Sequence, residues 1–208
     1  MSATLLSEGP QSGPTLIFAH GAGAAMDSPV MATLAKGLAV LGLRVVRFEF
    51  PYMAARREGR RPGPDREPVL LATWRSVIDE LGGGAGVFIA GKSMGGRMAS
   101  MVADEQGVRG LVCLGYPFHP PGRPEKTRTA HLESLTTPAL ILQGTRDPFG
   151  TPADVAGYVL SPAIALRWIE DGDHDLKPRA SSGRTHGQNI EEAIAATAAF
   201  VTTRAPQP

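Results

Sequence analysis

The feature that most constrains the fold of this chain is a regular alternation of short apolar runs with segments of helical periodicity, which begins at residue 15. Six runs are apolar without a polar face, as in strands that are buried on both sides. They cover residues 15–19, 44–50, 87–90, 111–114, 139–143 and 165–169. Strands that alternate with helices predict an α/β fold, with a doubly wound, mostly parallel sheet of about six to seven strands and helices on both faces.

The segments between the apolar runs carry helix signals. Apolar residues recur at helical spacing over 30–41, 69–81, 94–104 and 190–201. Ser28 and Pro29 predict the start of the first of these helices, and Gly42 predicts its end. The last helix is expected to begin near Asn189, with Glu192 placed for a capping box.

Size and composition exclude several classes of protein. The 208 residues suit one domain over 1–208, and 21 Lys and Arg against 20 Asp and Glu give a net charge of +1. This balance offers no electrostatic reason to expect nucleic acid or an anionic membrane as a partner. The lone Cys113 can form neither an internal disulfide nor a thiolate metal site. No apolar run reaches the roughly 18 residues of a membrane span, and the N-terminal stretch lacks the parts of a secretion signal, so we expect a cytoplasmic protein.

Motifs with chemical potential follow four of the predicted strands. H-G-A-G (20–23) follows the first strand and G-K-S-M-G-G (91–96) follows the third, while Asp147 and His174 follow the fifth and the sixth. In open sheets of this kind, sites form at the carboxyl ends of the strands. The order Ser93, Asp147, His174 is the order expected when a serine nucleophile lies on a strand-to-helix turn.

The chemistry of acyl transfer requires these residue types. A serine hydroxyl is a poor nucleophile until an imidazole accepts its proton, and a carboxylate must hold that imidazole in the right tautomer. Gly91, Gly95 and Gly96 leave room for strand and helix backbones to approach at a sharp turn. Two backbone N–H groups must face the oxyanion, and we expect them from Met94 and Ala22. Each such donor is typically worth about 100- to 1000-fold in rate.

Four further segments carry a resemblance to a known family. They are F-P-Y-M (50–53), G-R-R-P-G-P-D (59–65), G-K-S-M-G-G-R (91–97) and Y-P-F-H-P-P-G-R-P (116–124). With the motifs that follow its predicted strands, the chain resembles, over nearly its whole length, an α/β hydrolase of the dienelactone-hydrolase-like group. More narrowly, the four segments resemble a branch of small, lidless bacterial hydrolases. That branch also includes the hydrolase-like domain of a chromatin-complex subunit and a testis-expressed vertebrate protein.

The resemblance implies a catalytic triad and a simple architecture. It implies Ser93 as the nucleophile, Asp147 as the acid and His174 as the base, with no cofactor and no metal. Residues 116–138, between the fourth and fifth predicted strands, are expected to be mainly loop and are too few for a cap domain. From the residues themselves we expect hydrolysis of a small carboxylic ester or thioester through an acyl-enzyme intermediate. The oligomeric state stays open.

Several alternatives compete with these assignments. Residues 86–93 also match the phosphate-binding pattern G-x-x-x-x-G-K-S, which leaves nucleotide binding as a weak alternative function. His186 competes with His174 as the base, and Asp154 and Asp171 compete with Asp147 as the acid. A further alternative is a binding or scaffold module that keeps the fold without catalysis.

Substrate contacts are less constrained by the sequence than the triad. Residues near the ends of the predicted strands are candidates, namely His20, Lys92, Met53, Phe118, His119 and Phe149. The arginine-rich stretch 52–67 is expected to be a loop and either borders the site or is solvated. The expected partner is a small ester-like molecule, and neither nucleic acid nor a membrane.

Overall fold

The centre of the molecule is a seven-stranded sheet, observed in a computed structural model that describes residues 4–206. Its strands are β1 Leu5–Glu8, β2 Thr15–Ala19, β3 Arg44–Phe48, β4 Val87–Lys92, β5 Gly110–Leu114, β6 Ala139–Gly144 and β7 Ile164–Ile169. They lie in the order β1-β3-β2-β4-β5-β6-β7, and every neighbouring pair is parallel except β1 with β3. Residues 1–3 and 207–208, part of the expected N-terminal stretch and the expected single domain, lie outside the described residues.

Helices cover both faces of this sheet, as predicted. They are α1 Pro29–Val40, α2 Pro51–Arg57, α3 Glu67–Glu80, α4 Met94–Gln106, α5 Pro152–Val155 and α6 His186–Thr202. Because side chains alternate along a strand, Leu16 and Phe18 of β2 pack with α1 and α6, whereas Ile17 of the same strand packs on the opposite face with α3 and α4. Each face therefore has its own apolar core, and the predicted α/β fold is confirmed.

The first strand of the structure was not predicted from the sequence. β1 is a four-residue edge strand with only partly buried side chains, and it pairs antiparallel with β3, with Leu5 opposite Phe48. Its L-L-S-E sequence has no continuous apolar run, so the strand depends on the pairing partner rather than on its own pattern.

The expectation of a loop over 52–67 is wrong for its first part. Pro51 occupies the first turn of α2, and Tyr52, Met53 and Ala55 turn a buried face toward the core. The arginines of this stretch obscure that short apolar face, because a helix of seven residues offers only two turns of periodicity. The remainder, up to Arg66, contains no helix or strand.

The last helix also begins earlier than predicted. Thr185 is its N-cap and forms a capping box with Gln188, so α6 starts at His186 rather than near Asn189. Glu192, the expected capping residue, instead forms ion pairs with Arg167 and Arg184. The sequence offers two overlapping capping boxes, Thr185 with Gln188 and Asn189 with Glu192, and the structure contains the first.

The connection from β5 to β6 is as short and irregular as expected. Within 115–138, the structure has one turn of 3₁₀ helix, at Ala130–Leu132, and no inserted domain. The carboxyl ends of β4 to β7 are therefore not covered by a cap in the part of the chain that the structure describes. None of the helices within 4–206 has the length and apolar character needed to cross a membrane.

Candidate active site

Ser93 lies on a sharp turn between β4 and α4. Its backbone has φ 50°, a region that residues other than glycine rarely adopt, so the turn is strained at the serine. The turn exists because glycines surround it: a Cβ on Gly91 would lie 2.2 Å from the carbonyl carbon of Gly95. A Cβ on Gly95 would lie 2.5 Å from the carbonyl oxygen of His20. The glycines expected from the motif are thus required by backbone contact.

Three side chains from distant parts of the chain meet at this turn. The Oγ of Ser93 is 2.8 Å from Nε2 of His174, and Nδ1 of the same ring is 2.8 Å from Oδ2 of Asp147. An ionised carboxylate only accepts hydrogen bonds, so Nδ1 carries the ring proton and donates it to Asp147. Nε2 is then free to accept the hydroxyl proton of Ser93. The arrangement can generate an activated serine.

Asp147 is completely buried and is held by more than the histidine. Its Oδ1 accepts from the backbone N–H of Phe149 at 2.9 Å, and its Oδ2 accepts from Nε2 of Gln143 at 2.9 Å. Gln143 also accepts from the N–H of Tyr116 at 2.7 Å. Sequence reasoning missed Gln143, although a glutamine at the end of the apolar strand β6 was a signal for a buried polar contact.

The loop that carries His174 has a strained but well-bonded backbone. Asp171 and Leu176 have φ of 52° and 62°, and both are non-glycine residues. The Oδ1 of Asp173 accepts from the N–H groups of Asp175 and Lys177, each at 2.9 Å. These bonds offset part of the strain in the loop.

Asn189 ties the same loop to α6. Its side chain is fully buried, and Nδ2 donates to the carbonyls of Leu176 at 2.8 Å and Glu170 at 3.1 Å. Its Oδ1 accepts from Nε of Arg184 at 2.7 Å. The sequence marked Asn189 only as a helix start, and nothing in its neighbours identified its contact with the loop.

The two expected oxyanion donors have free N–H groups. The backbone N–H of Met94, at the first turn of α4, and that of Ala22 donate to no residue within 4–206. The N-terminus of a helix also carries partial positive charge. Met94 directly follows Ser93, and Ala22 lines the same cavity as Ser93.

The side chains of His20 and Tyr52 hold the loop of Ala22 in place by hydrogen bonds to its backbone. His20 is completely buried: Nδ1 donates to the carbonyl of Gly21 at 2.7 Å, and Nε2 accepts from the N–H of Phe50 at 3.2 Å. Burial lowers the pKa of His20, which favours the neutral ring that this bonding requires. The hydroxyl of Tyr52 donates to the carbonyls of Gly21 and Ala22 at 3.2 and 3.1 Å. Sequence reasoning missed this role of Tyr52.

A cavity of about 790 Å³ opens in front of Ser93 and His174. Its lining includes apolar residues, namely Ala22, Ala24, Pro29, Val30, Met31 and Phe149. It also includes polar residues, namely Lys92, Asp173, Asp175, Lys177 and His186. The ring of Phe149 lies 4.3 Å from that of His174, measured between centroids. The cavity can therefore accept a substrate with an apolar part beside the serine.

Two of the six residues predicted to contact substrate, Lys92 and Phe149, line this cavity. Met53, Phe118 and His119 are almost completely buried and are not among its lining residues, and His20 lies beneath the loop. Position after a strand was not enough to place these residues, because their burial depends on the packing of separate elements.

The arginine-rich stretch also lies outside the cavity lining. Arg57 pairs with Glu49 at 2.6 Å and with Asp27 at 2.7 Å, and Arg56 donates to the carbonyl of Pro62. The pairs of Arg57 join α2 to the loops before α1 and after β3.

The competing assignments are placed elsewhere. The variable residues of the phosphate-loop pattern form strand β4, with only a 3₁₀ turn, Gly84–Gly86, before it, so they cannot cradle a phosphate. His186 bonds the carbonyl of Asp175 at 2.9 Å. Asp154 caps α5 and Asp171 pairs with Arg179, so neither reaches His174. Within the described residues, no group of three or more acidic, histidine or cysteine side chains is arranged to hold a metal ion.

Proteins that are similar to this chain in sequence or in fold include hydrolases. The sequence model of the alpha/beta hydrolase domain family matches residues 12–202. An alpha-beta serine hydrolase homologue from Coxiella burnetii is 21% identical, with a TM-score of 0.68 over 97% of this chain and 91% of that one. A serine hydrolase without lid from Xanthomonas campestris is 18% identical, with a TM-score of 0.69 over 98% and 90% of the two chains. A monoacylglycerol lipase from Paleococcus ferrophilus is 15% identical, with a TM-score of 0.71 over 99% and 100%.

Proposed function

This chain belongs to the family of alpha/beta hydrolase domains, and from that premise we propose that it is a serine hydrolase of small carboxylic esters or thioesters. In this proposal Ser93 is the nucleophile, His174 the general base and Asp147 the acid that orients it. The observation that carries the proposal is the unbroken chain of 2.8 Å contacts from the Ser93 hydroxyl through the imidazole to a buried carboxylate.

The reaction proceeds through an acyl-enzyme. The Oγ of Ser93 attacks the carbonyl carbon while Nε2 of His174 takes its proton, and Asp147 stabilises the resulting imidazolium. The N–H groups of Met94 and Ala22 donate to the tetrahedral oxyanion. His174 then gives the proton to the departing alcohol or thiol. A water molecule then attacks the acyl carbonyl carbon while His174 takes its proton, and His174 returns that proton to Oγ of Ser93 as the bond to the acyl group breaks and the acid leaves.

The shape of the cavity supports a small and accessible substrate. Its lining includes apolar side chains, and no cap covers the carboxyl ends of the strands within 4–206. An acyl group of modest size can pack on Val30, Met31 and Phe149. The Paleococcus structure is a monoacylglycerol lipase, which supports ester hydrolysis on this fold.

Hydrolysis of short-chain p-nitrophenyl esters tests the proposal. We expect measurable turnover by the wild type and a loss of about 1000-fold or more in kcat for Ser93→Ala and His174→Ala. Ser28→Ala is the matched control, because Ser28 lines the same cavity but its hydroxyl forms no cap bond and does not belong to the triad. It should keep kcat within about 3-fold of the wild type. Wild-type turnover by Ser93→Ala would refute the assignment.

The scaffold alternative has no observation in its favour among the described residues. It would be supported if the wild type showed neither ester turnover nor labelling by a fluorophosphonate.

Three further statements stay predictions from the sequence. They are the narrower resemblance to the branch with the chromatin-complex subunit, the single domain over 1–208 and the cytoplasmic location.

A further inference from the structure

The side chain of Lys92 joins the nucleophile turn to the loop of the histidine. Lys92 is the last residue of β4 and directly precedes Ser93. Its Nζ donates to the backbone carbonyl of His174 at 2.7 Å and lies 3.1 Å from Oδ1 of Asp175. Only 12% of the side chain is exposed. An ammonium held this far from solvent makes a charge-assisted hydrogen bond that is stronger than a neutral one.

We propose that Lys92 is a positioning residue for catalysis: it clamps the carbonyl of His174 and thereby fixes the imidazole at bonding distance from Ser93. The inference rests on the proposed function, because the position of the imidazole matters to a reaction only if Ser93 is the nucleophile.

The backbone of the histidine loop explains why such a clamp is needed. Asp171 and Leu176 hold left-handed conformations on either side of His174, so the loop between them stores strain. The bond from Lys92 acts on the residue that carries the imidazole, and it originates on a central strand of the sheet. It therefore ties the base to the same rigid element that carries the nucleophile.

The carbonyl of His174 is confined from a second side by β5. Gly115 follows that strand with φ 63°, and a Cβ there would lie 2.8 Å from this carbonyl oxygen. The oxygen is thus held between the ammonium of Lys92 and the backbone at Gly115. A displacement of about 1 Å of a catalytic group can cost about 100-fold in rate, so removal of one side of this hold should be measurable.

A different role for Lys92, the attraction of an anionic substrate, fits the geometry less well. Its ammonium is engaged by a carbonyl, and its charge is balanced by Asp175. Lys177 lines the same cavity, is exposed, and has a side chain without a hydrogen bond or ion pair to any residue within 4–206. Lys177 is therefore the matched control for a change of charge at this site.

The first experiment compares Lys92→Met with Lys177→Met in ester hydrolysis. Each variant removes one positive charge from the same cavity and keeps an unbranched side chain. We expect Lys92→Met to lower kcat by about 10- to 100-fold with KM within about 2-fold, and Lys177→Met to change neither by more than about 2-fold. Lys92→Arg, which restores a charged donor, should recover part of the loss. Equal losses in the two Met variants, or a loss confined to KM, would overturn the inference.

A double-mutant cycle tests whether Lys92 acts through the histidine. In the His174→Ala background, the clamp has no imidazole to position, so Lys92→Met should have no further effect on the residual rate of fluorophosphonate labelling. A second loss of 10-fold or so in that background would mean that Lys92 acts on the substrate directly, and would overturn the inference.

Proton NMR provides a readout that does not depend on turnover. The Nδ1 proton between His174 and Asp147 should give a low-field resonance, identified by its disappearance in His174→Ala. We expect this resonance to weaken or broaden in Lys92→Met and to be unchanged in Lys177→Met. If the wild type hydrolyses no ester but the resonance responds in this way, the proposed function fails while the clamp stands. An identical resonance in Lys92→Met and wild type would overturn the clamp.

Asp175→Asn keeps the test decisive if Lys92→Met does not fold. The side chain of Asp175 is 70% exposed, so its replacement leaves the core intact, yet it removes the charge that helps to hold the ammonium. We expect a several-fold loss of kcat at constant KM. An unchanged kcat in a folded Asp175→Asn, with Lys92→Met unfolded, would count against the inference.

Discussion

At the scale of single residues, the site depends on a buried carboxylate that is fully engaged. Asp147 has no exposed surface, and a buried charge is tolerated only when hydrogen bonds replace water. Its partners are the imidazole of His174, the amide of Gln143 and the N–H of Phe149. Every partner is a donor, so the site requires acceptors at both oxygens of residue 147.

Asp147→Asn should therefore abolish most activity without removing the side chain's bulk. One oxygen becomes an NH₂ group that faces at least one hydrogen-bond donor. If that group faces Nδ1 of His174, the ring proton moves to Nε2, and Nε2 can no longer accept the hydroxyl proton of Ser93. We expect kcat to fall about 1000- to 10,000-fold. Ester turnover measures the loss, and circular dichroism checks that the variant is folded. A kcat within about 10-fold of the wild type would contradict the assigned role of the carboxylate.

Tyr52 offers a second test at this scale, because its hydroxyl holds the loop of the proposed oxyanion donor Ala22. Tyr52→Phe removes that bond and keeps the ring, so we expect a loss of about 3- to 10-fold in kcat, less than the loss of a whole oxyanion donor. Tyr158→Phe is the control, since its hydroxyl donates to the carbonyl of Pro124 at the surface. Equal kcat values for the two variants would refute the supporting role.

At the scale of elements, the site is formed at the turn from β4 to α4, where glycines allow the backbones of the strand and the helix to come into contact. The prediction of strand, turn and helix from G-K-S-M-G-G succeeded because glycine requirements and apolar periodicity are local properties. Predictions failed where an element depends on a partner: β1 needs the edge of β3, and α2 hides a buried face among arginines. The start of α6 depended on which of two overlapping capping boxes formed.

Gly91→Ala tests the close passage of β4 and α4. The added Cβ would lie 2.2 Å from the backbone of Gly95, which cannot move without shifting the helix, so we expect a loss of about 3 kcal/mol in the free energy of unfolding. Labelling of Ser93 by a fluorophosphonate should fall with it. Gly86→Ala is the control, because a Cβ there meets nothing within 4 Å, and its unfolding free energy should stay within about 0.5 kcal/mol. Equal free energies of unfolding for Gly91→Ala and Gly86→Ala, measured by urea denaturation, would contradict the close backbone contact at this turn.

At the scale of the whole molecule, the meeting of three side chains at one edge of the sheet could be predicted from the sequence, whereas the residues that hold them in place could not. Ser93, Asp147 and His174 each follow a strand, and parallel strands bring their carboxyl ends to one edge of the sheet. Gln143 and Asn189 reach the site only through the packing of separate elements. The buried positions of Met53 and Phe118 follow from the same packing, which no local pattern specifies.

Burial also shapes how the molecule responds to alkaline pH. It raises the pKa of Tyr52 to about 12, and it raises the pKa values of Tyr116 and Tyr158 as well. These are the three tyrosines of the chain. A phenol whose pKa is higher in the folded state stabilises the fold below the unfolded value near 10, and this contribution is lost as the pH rises toward the folded value.

We therefore expect the folded protein to develop less phenolate absorbance at pH 10 than the unfolded chain, in which tyrosine is half ionised. Stability should fall between pH 10 and 12, with about 2 kcal/mol lost through Tyr52. Ultraviolet titration of folded and urea-unfolded protein measures the first effect, and urea denaturation at several pH values measures the second. A midpoint near 10 in the folded protein would contradict the raised pKa values of these phenols.

The most direct test of the central claim is covalent labelling with a fluorophosphonate, followed by peptide mass spectrometry. The account predicts one adduct per chain in the wild type, located on Ser93, and no adduct in Ser93→Ala. Equal labelling of the two proteins, or an adduct on another serine, would contradict it.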